Sequence, residues 1–398
     1  MARKKTTTPA ASSLTFAWTI DRASFVSALK LASTVVKGSG KIPYLEHVLL
    51  QRDGETLTLS ATNTDETIVA TLSAEMIGEQ AFCLPFKLLN KIVSASPGAS
   101  VTLSTVEGQP FSASLRSVDG SATVSGLDPA NYPGLPARDT VKDWGELPLQ
   151  ELAEALSRAR HAVGTGKLDL HAALLCSEGE DGRDLVVYAT DSLRLWREVL
   201  PDAGATLPAG DPDLSIEVAA FDAIASVDGA LVKVGWSDQR QHLVFLSEDG
   251  RTVLAFRRSE VKHPDYDRIV RTIVRSDFTY VMDREVLEGA LARAQITARG
   301  DRAQIVHAAG GLTVQSESQE GATTIIISDD TEAGGDAQEW RAQFNGNFLI
   351  EALEAIGHDK VKLLLSDESG RLSMTVVADD GIADPLRMSV IMRQEWGK

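Results

Sequence analysis

The chain is poor in cysteine, with two in 398 residues, Cys83 and Cys176. They stand far apart in apolar stretches. Two distant thiols cannot make a zinc site, and they read as reduced, buried cysteines of a cytoplasmic protein. Seven histidines are present, and none shows H-x-x-x-H or H-E-x-x-H spacing. The common helical metal-ligand patterns are therefore missing. Long hydrophobic runs are missing too. No stretch nears the roughly 18 consecutive apolar residues of a membrane-spanning helix. Residues 1–14 start basic and continue in Thr, Ala and Ser, with no apolar run after the bases. That composition argues against a secretory signal and predicts a disordered tail. Basic residues are scarce: 39 Lys and Arg face 56 Asp and Glu, a net charge of -17. Taken whole, this balance argues against nucleic acid as a partner. Its uneven distribution reverses that argument, as shown below.

Catalytic patterns fail on inspection. Gly164-Thr165-Gly166-Lys167 is the nearest approach to a phosphate loop. It has His161 where the pattern needs Gly and Leu168 where it needs Ser or Thr. Ser27-x-x-Lys30 matches a serine-lysine pair by spacing alone, without its companion motifs. Asp211-Pro212-Asp213 and Asp379-Asp380 are acid pairs that read as solvated turns. No catalytic residue, cofactor site or metal site is nominated, and the chain reads as a non-enzyme.

What the chain does contain is a threefold repeat. Ala28-Leu29-x-x-Ala32 recurs as Ala155-Leu156-x-x-Ala159 and as Ala290-Leu291-x-x-Ala294, at offsets of 127 and 135 residues. The apolar stripe Phe25, Leu29, Ala32, Val36 maps onto Leu152, Leu156, Ala159, Val163 and onto Leu287, Leu291, Ala294, Ala298. Each copy has the spacing i, i+4, i+7, i+11, which keeps one helix face apolar. A period this long repeats a whole domain. Strands follow each first helix, as in 44–51 and 56–61 or 172–176 and 185–190. A second helix is predicted near Pro85, near Val218 and near Asn345. Further strands open on Val101, Val232 and Val361. The alternation in these strands suits antiparallel sheets with one buried face, and both helices of a repeat pack on one side. The expected class is α+β, with a tail at 1–14 and domains at 15–138, 143–270 and 276–398. Asn131 to Pro136 and His263 to Tyr266 read as turn-rich exits, each with an anchoring tyrosine.

The bases cluster at the ends of the three first helices. Lys30, Lys37 and Lys41 in the first repeat, Arg158, Arg160 and Lys167 in the second, and Arg293, Arg299 and Arg302 in the third meet only one acid, Asp301. Helix-dipole complementarity favours such residues singly. Their recurrence in three equivalent helices of an acidic chain points to a shared basic surface facing duplex DNA, joined by Lys87 and Lys91 of a second helix.

These residues resemble the bacterial DNA polymerase III beta subunits, the sliding-clamp family, over about residues 16 to 396. Lys41 to Leu45 is similar to the family's Leu-Pro-Ile-Leu segment, and Tyr132 to Leu135 to its exit from the first domain. Ala189 to Leu195 resembles Ala-Thr-Asp-Gly-His-Arg-Leu, with Ser192 and Leu193 in place of Gly-His. His263 to Ile269 resembles Phe-Pro-Asp-Tyr-x-Arg-Val, and Val390 to Met392 the C-terminal Val-Met-Pro-Met-Arg. The resemblance implies three DNA-clamp domains per chain and a head-to-tail homodimer forming a six-domain ring around double-stranded DNA, without sequence preference. Ala122 and Val124 would meet Ile296 and Thr297 at the dimer interface. It further implies a pocket for short peptides of the DNA polymerase III alpha subunit and the clamp loader. Mapped onto this chain, that pocket is His171, Thr190, Leu193, Arg194, Leu195, Pro264, Arg268, Ile269, Val390, Ile391, Met392 and, as a replacement apolar wall, Trp396. Departures at Leu193 and 393–396 raise an alternative, a mobile-element or resistance-linked paralogue with other partners. An enzyme or surface scaffold built on the repeat is the reading from another class. The implied setting is cytoplasmic, with no membrane partner.

Overall fold

The computed structural model describes residues 17–38, 41–135, 140–164, 170–178, 182–203, 205–208, 213–273, 278–308, 311–327, 332–334, 340–368, 371–379 and 385–394. The chain forms two compact units. One runs to Asp143 and takes in Asp222–Arg257; the other comprises Trp144–Phe221 and the chain from Arg258 onward.

The first unit holds helices α1 (Arg22–Ala32) and α2 (Phe86–Ala95) over two antiparallel sheets. One sheet has the order Ala74–Ile77, Ala17–Asp21, Ser100–Val106, Gln109–Arg116, Ser121–Ser125, which leaves Ser121–Ser125 at an edge. The other places Thr252–Arg257 beside Glu66–Leu72, with Val253 opposite Val69. Asp21 caps α1 by accepting a bond from the Ser24 amide at 2.8 Å, which satisfies one of the free donors of a helix start. The apolar stripe is why α1 folds where it does: Phe25, Leu29 and Ala32 are fully buried and Val36 nearly so. Arg22 ties the two helices together by donating to the carbonyls of Val93 and Ser94.

The second unit contains α3 (Leu149–Ala159), α5 (Tyr266–Ile273), α6 (Arg284–Thr297) and α7 (Gly346–Ile356); the short α4 (Phe221–Ile224) starts on its last residue before the boundary, Phe221, and continues into the first unit. Its nine-stranded sheet runs Asp213–Glu217, Ala172–Glu178, Asp184–Thr190, Arg194–Leu200, Arg387–Met392, Arg371–Ala378, Lys360–Glu368, Phe278–Asp283, Glu332–Gly334. A four-stranded sheet has Ala322–Ile327 at one edge. The stripes of α3 and α6 are buried as in α1, except that Ala298 is half-buried in extended backbone just past the end of α6.

Two expectations change. The segment after His263 is more than a turn: Asp265 caps a helix, α5, through the Arg268 amide at 3.0 Å. The second helix of the middle repeat shrinks to the four residues of α4 after a 3-10 turn, Val218–Ala220. Tyr132 and Tyr266 both anchor their exits. The Tyr132 hydroxyl donates to the carbonyls of His47 and Ser60 at 3.3 Å, and Tyr266 stacks on Tyr188 with centroids 4.7 Å apart.

Candidate peptide pocket and nucleic-acid interface

The cavity in the second unit starts from a strand pair. Arg194–Leu200 and Arg387–Met392 run antiparallel with Leu195 opposite Val390, and the Met392 amide donates to the Leu193 carbonyl at 2.9 Å. Side chains alternate along a strand, so Val390 and Met392 face one side and Ile391 the other. Helix α5 supplies the facing wall. Tyr266 and Ile269, three apart, turn inward, while Arg268 points to solvent. The result is a cavity of about 400 Å³ lined by Leu170, Thr190, Ser192, Arg194, Leu195, Lys262, Pro264, Ile269, Val390 and Met392. Its floor is continuous with a core cluster in which Val186, Tyr188, Leu195, Tyr266, Val377, Met388 and Val390 pack together. Leu195 and Val390 are thus both core residues and cavity floor.

The turn at the mouth is fixed by hydrogen bonds. The Asp191 carboxylate accepts from the amides of Leu193 and Arg194 at 2.9 Å, and the Thr190 hydroxyl donates to the Arg194 carbonyl at 2.6 Å. Arg194 is held from three sides. Its Nε donates to Asp191 at 3.0 Å, its Nη1 to Glu351, and its guanidinium carbon lies 3.9 Å from the Phe348 ring centroid. Beneath the opposite wall, the His263 ring bridges the Ser215 hydroxyl at 2.9 Å and the Tyr266 hydroxyl at 3.0 Å. Burial holds the His263 pKa down at about 4. Burial also pushes the Tyr188 and Tyr266 phenols up.

Of the residues expected at this pocket, Thr190, Arg194, Leu195, Pro264, Ile269, Val390 and Met392 come together. Leu193 stands at the rim, 44% exposed. Three are corrected. His171 is turned to solvent beside Glu217, at 3.4 Å, and its neighbour Leu170 lines the cavity. Arg268 faces away on α5, and Ile391 is buried on the opposite sheet face. Trp396 lies outside the described residues. Leu170, Ser192 and Lys262 were missed as lining residues. Lys262 was findable, because it precedes Pro264 by two in an extended stretch, the spacing that keeps residues on one side.

The basic surface is strongest in the first unit. Lys30, Lys37, Lys41, Lys87 and Lys91 are all exposed, on or beside α1 and α2. Lys37 approaches Glu66 at 3.8 Å with its own side chain 59% exposed, a weak pair in water. In the second unit Arg160, Arg293 and Arg299 are exposed. Arg160 lies 5.3 Å from the Phe221 ring centroid, and Arg293 donates to the Gly289 carbonyl at 3.0 Å. Arg302 is half-buried and shares a polar cavity of about 610 Å³ with Arg299. Arg158 is the correction here. Its guanidinium grips the buried Glu198 carboxylate at 2.7 to 3.1 Å, so it belongs to an internal ion cluster and not to a basic surface. Lys167 lies outside the described residues, as does the expected tail at 1–14.

At the expected dimer boundary Ile296 is 82% exposed and Ala122 is half-buried. Val124 is fully buried by its own unit, packed inward from the strand Ser121–Ser125. The Thr297 hydroxyl is engaged internally with those of Ser316 and Thr323, at 2.7 Å each. Both corrections follow from side-chain direction, which a position on an edge element does not fix.

Residues 16–136 match the model of the DNA polymerase III beta subunit N-terminal domain. The beta sliding clamp of Synechocystis sp. is 26% identical over 365 residues, covering 86% of this chain and 90% of its own. The beta sliding clamp of Escherichia coli K12 is 24% identical, covering 92% and 97%. Over nearly its whole length the chain is similar to bacterial DNA polymerase III beta subunits. Solved structures share the sliding-clamp fold: the beta chain of Streptococcus pneumoniae superposes with a TM-score of 0.83 at 20% identity, covering 96% of this chain and all of that one. The clamp of Pseudomonas aeruginosa bound to griselimycin gives 0.80 at 21%, covering 96% and 100%. These relatives are sliding clamps throughout, so the paralogue alternative is not favoured.

The clamp resemblance also explains one strained residue. Ser192 stands where the family has Gly, and its φ is 75°. A left-handed backbone costs a residue with a Cβ roughly 1–2 kcal/mol, part of which glycine's larger unfolded-state entropy offsets. Ser192→Gly should therefore raise stability by about 0.5–1 kcal/mol in urea unfolding. A loss of stability would show that the serine side chain contributes more than its backbone costs.

Proposed function

We infer that the chain is a processivity clamp. Two copies close into a ring around duplex DNA and hold a polymerase to its template by topology. It performs no chemistry and works in the cytoplasm. The observation that carries this reading is collinear similarity to beta sliding clamps over nearly the whole chain. In this reading domains 15–138, 143–270 and 276–398 repeat twice around the ring. Ring closure pairs the edge strand Ser121–Ser125 of one copy with the edge strand Ala322–Ile327 of the other, which hides two otherwise open edges. Ile296 meets the partner there. Lys30, Lys37, Lys41, Lys87, Lys91, Arg160, Arg293 and Arg299 face the phosphates. Contacts to phosphate carry no sequence information, so the ring slides. The cavity of about 400 Å³ takes the apolar anchors of short peptides from the polymerase alpha subunit and the clamp loader.

The test is retention on DNA. The protein should sediment as a dimer of twice 42.7 kDa. Once loaded, it should stay on nicked circular DNA and leave after the circle is cut. Alanine at Lys30, Lys87 and Lys91 should lower the salt dependence of binding by roughly one phosphate contact per lysine. Equal retention on circular and linear DNA would sink the topological reading.

A further inference from the structure

Ten of the described residues line the cavity, and two of them are cations, Arg194 and Lys262. Arg194 is already neutralised. Its guanidinium bonds Asp191 and Glu351, lies over Phe348, and leaves only 10% of the side chain exposed. Lys262 differs in every respect. It is exposed and makes no ion pair or hydrogen bond among the described residues. Among the described residues no carboxylate lines the cavity with it. An apolar floor of Leu195, Ile269 and Val390 thus carries one unneutralised ammonium at its rim.

A chain of net charge -17 repels acidic peptides at long range. That repulsion is screened beyond about 8 Å at physiological salt, whereas a contact pair at the rim is not. The rim lysine therefore converts a general bias against acids into a local preference for one. Such pairs act on specificity and register more than on total affinity. We propose that Lys262 selects docking peptides that carry a carboxylate side chain beside their apolar anchors. This rests on reading the cavity as the peptide pocket.

The probes are fluorescein-labelled octapeptides with Leu and Phe anchors and a single aspartate placed before, between or after them, each with an asparagine twin. Binding to the full-length protein is read by fluorescence anisotropy. At one aspartate position or more, the acidic peptide should bind about three- to fivefold tighter than its twin in low salt. Lys262→Gln should erase that preference, read as the ratio of acidic-peptide to twin affinity measured on the same variant, as should high salt. Equal binding of every pair, or a preference that survives in Lys262→Gln, overturns the proposal while leaving the pocket reading intact. If neither acidic nor neutral peptide binds, both fall together.

Discussion

Glu198→Ala is expected to destabilise the protein by about 2–3 kcal/mol, measured as a shift in urea unfolding. Glu198 is 1% exposed, yet carries a carboxylate. It is satisfied by Arg158 through Nε and Nη2 and by Arg387 through Nε at 3.0 Å. Arg387 also donates to the Ile356 carbonyl at 3.2 Å. One carboxylate therefore links α3, two adjacent strands and the end of α7. Burial lowers the Arg158 pKa, and the bonds to Glu198 more than reverse that, so the guanidinium is held more firmly charged than usual. Removing one partner of a buried pair costs roughly 3–5 kcal/mol, because the other charge is left uncompensated. Here the arginine side chains are 22% and 36% exposed and can turn partly to water, which brings the figure down. The double variant Glu198→Met, Arg158→Met should recover part of the loss, since apolar groups of similar volume replace one pair and only Arg387, 36% exposed and still bonded to the Ile356 carbonyl, is left without its carboxylate. A loss below about 1 kcal/mol for Glu198→Ala would mean that the arginines find water freely and the cluster is not a clasp.

The same cluster shows what a sequence can and cannot tell. The helix stripes were legible because burial imposes a period of 3.6, and nothing else produces that period three times at domain offsets. The pocket floor was legible through resemblance, because Leu195 and Val390 sit on strands whose order the family shares. Arg158 was misassigned for a physical reason. Lys and Arg in a last helical turn serve the dipole, a phosphate or an internal carboxylate equally well. Glu198, 40 residues further on, gives no local sign that it is buried. Ile391 and Val124 failed differently. A one-residue step along a strand flips the side chain, so naming a strand does not name its inward face. Helix α5 was hidden behind Pro264, which signals a turn as readily as the start of a helix.

Acidification is expected to weaken the fold through His263. The ring is half-buried between Ser215 and Tyr266, and burial holds its pKa at about 4, against 6.5 for a free imidazole. The folded state therefore keeps His263 neutral where the unfolded chain takes up a proton. Stability from this group is complete above pH 6.5, falls as pH drops from 6.5 toward 4, and falls no further below that, where both states are protonated. The slope cannot exceed about 1.4 kcal/mol per pH unit, and roughly 1–3 kcal/mol is lost in all once solvent screening is allowed for. His161 and His242 are also lowered by burial, so they steepen the same limb. Subtracting the urea-unfolding profile of His263→Gln isolates one ring, because the amide can bond both hydroxyls and does not titrate. The difference should be flat above pH 6.5 and bend between 6.5 and 4; no bend in that window would show that the ring is hydrated in the folded state. Lys262 and Pro264 flank His263 and line the cavity. Peptide affinity should therefore weaken over the same interval in the wild-type protein and hold in His263→Gln, which ties the acid limb to one wall of the pocket and not to unfolding of the whole chain.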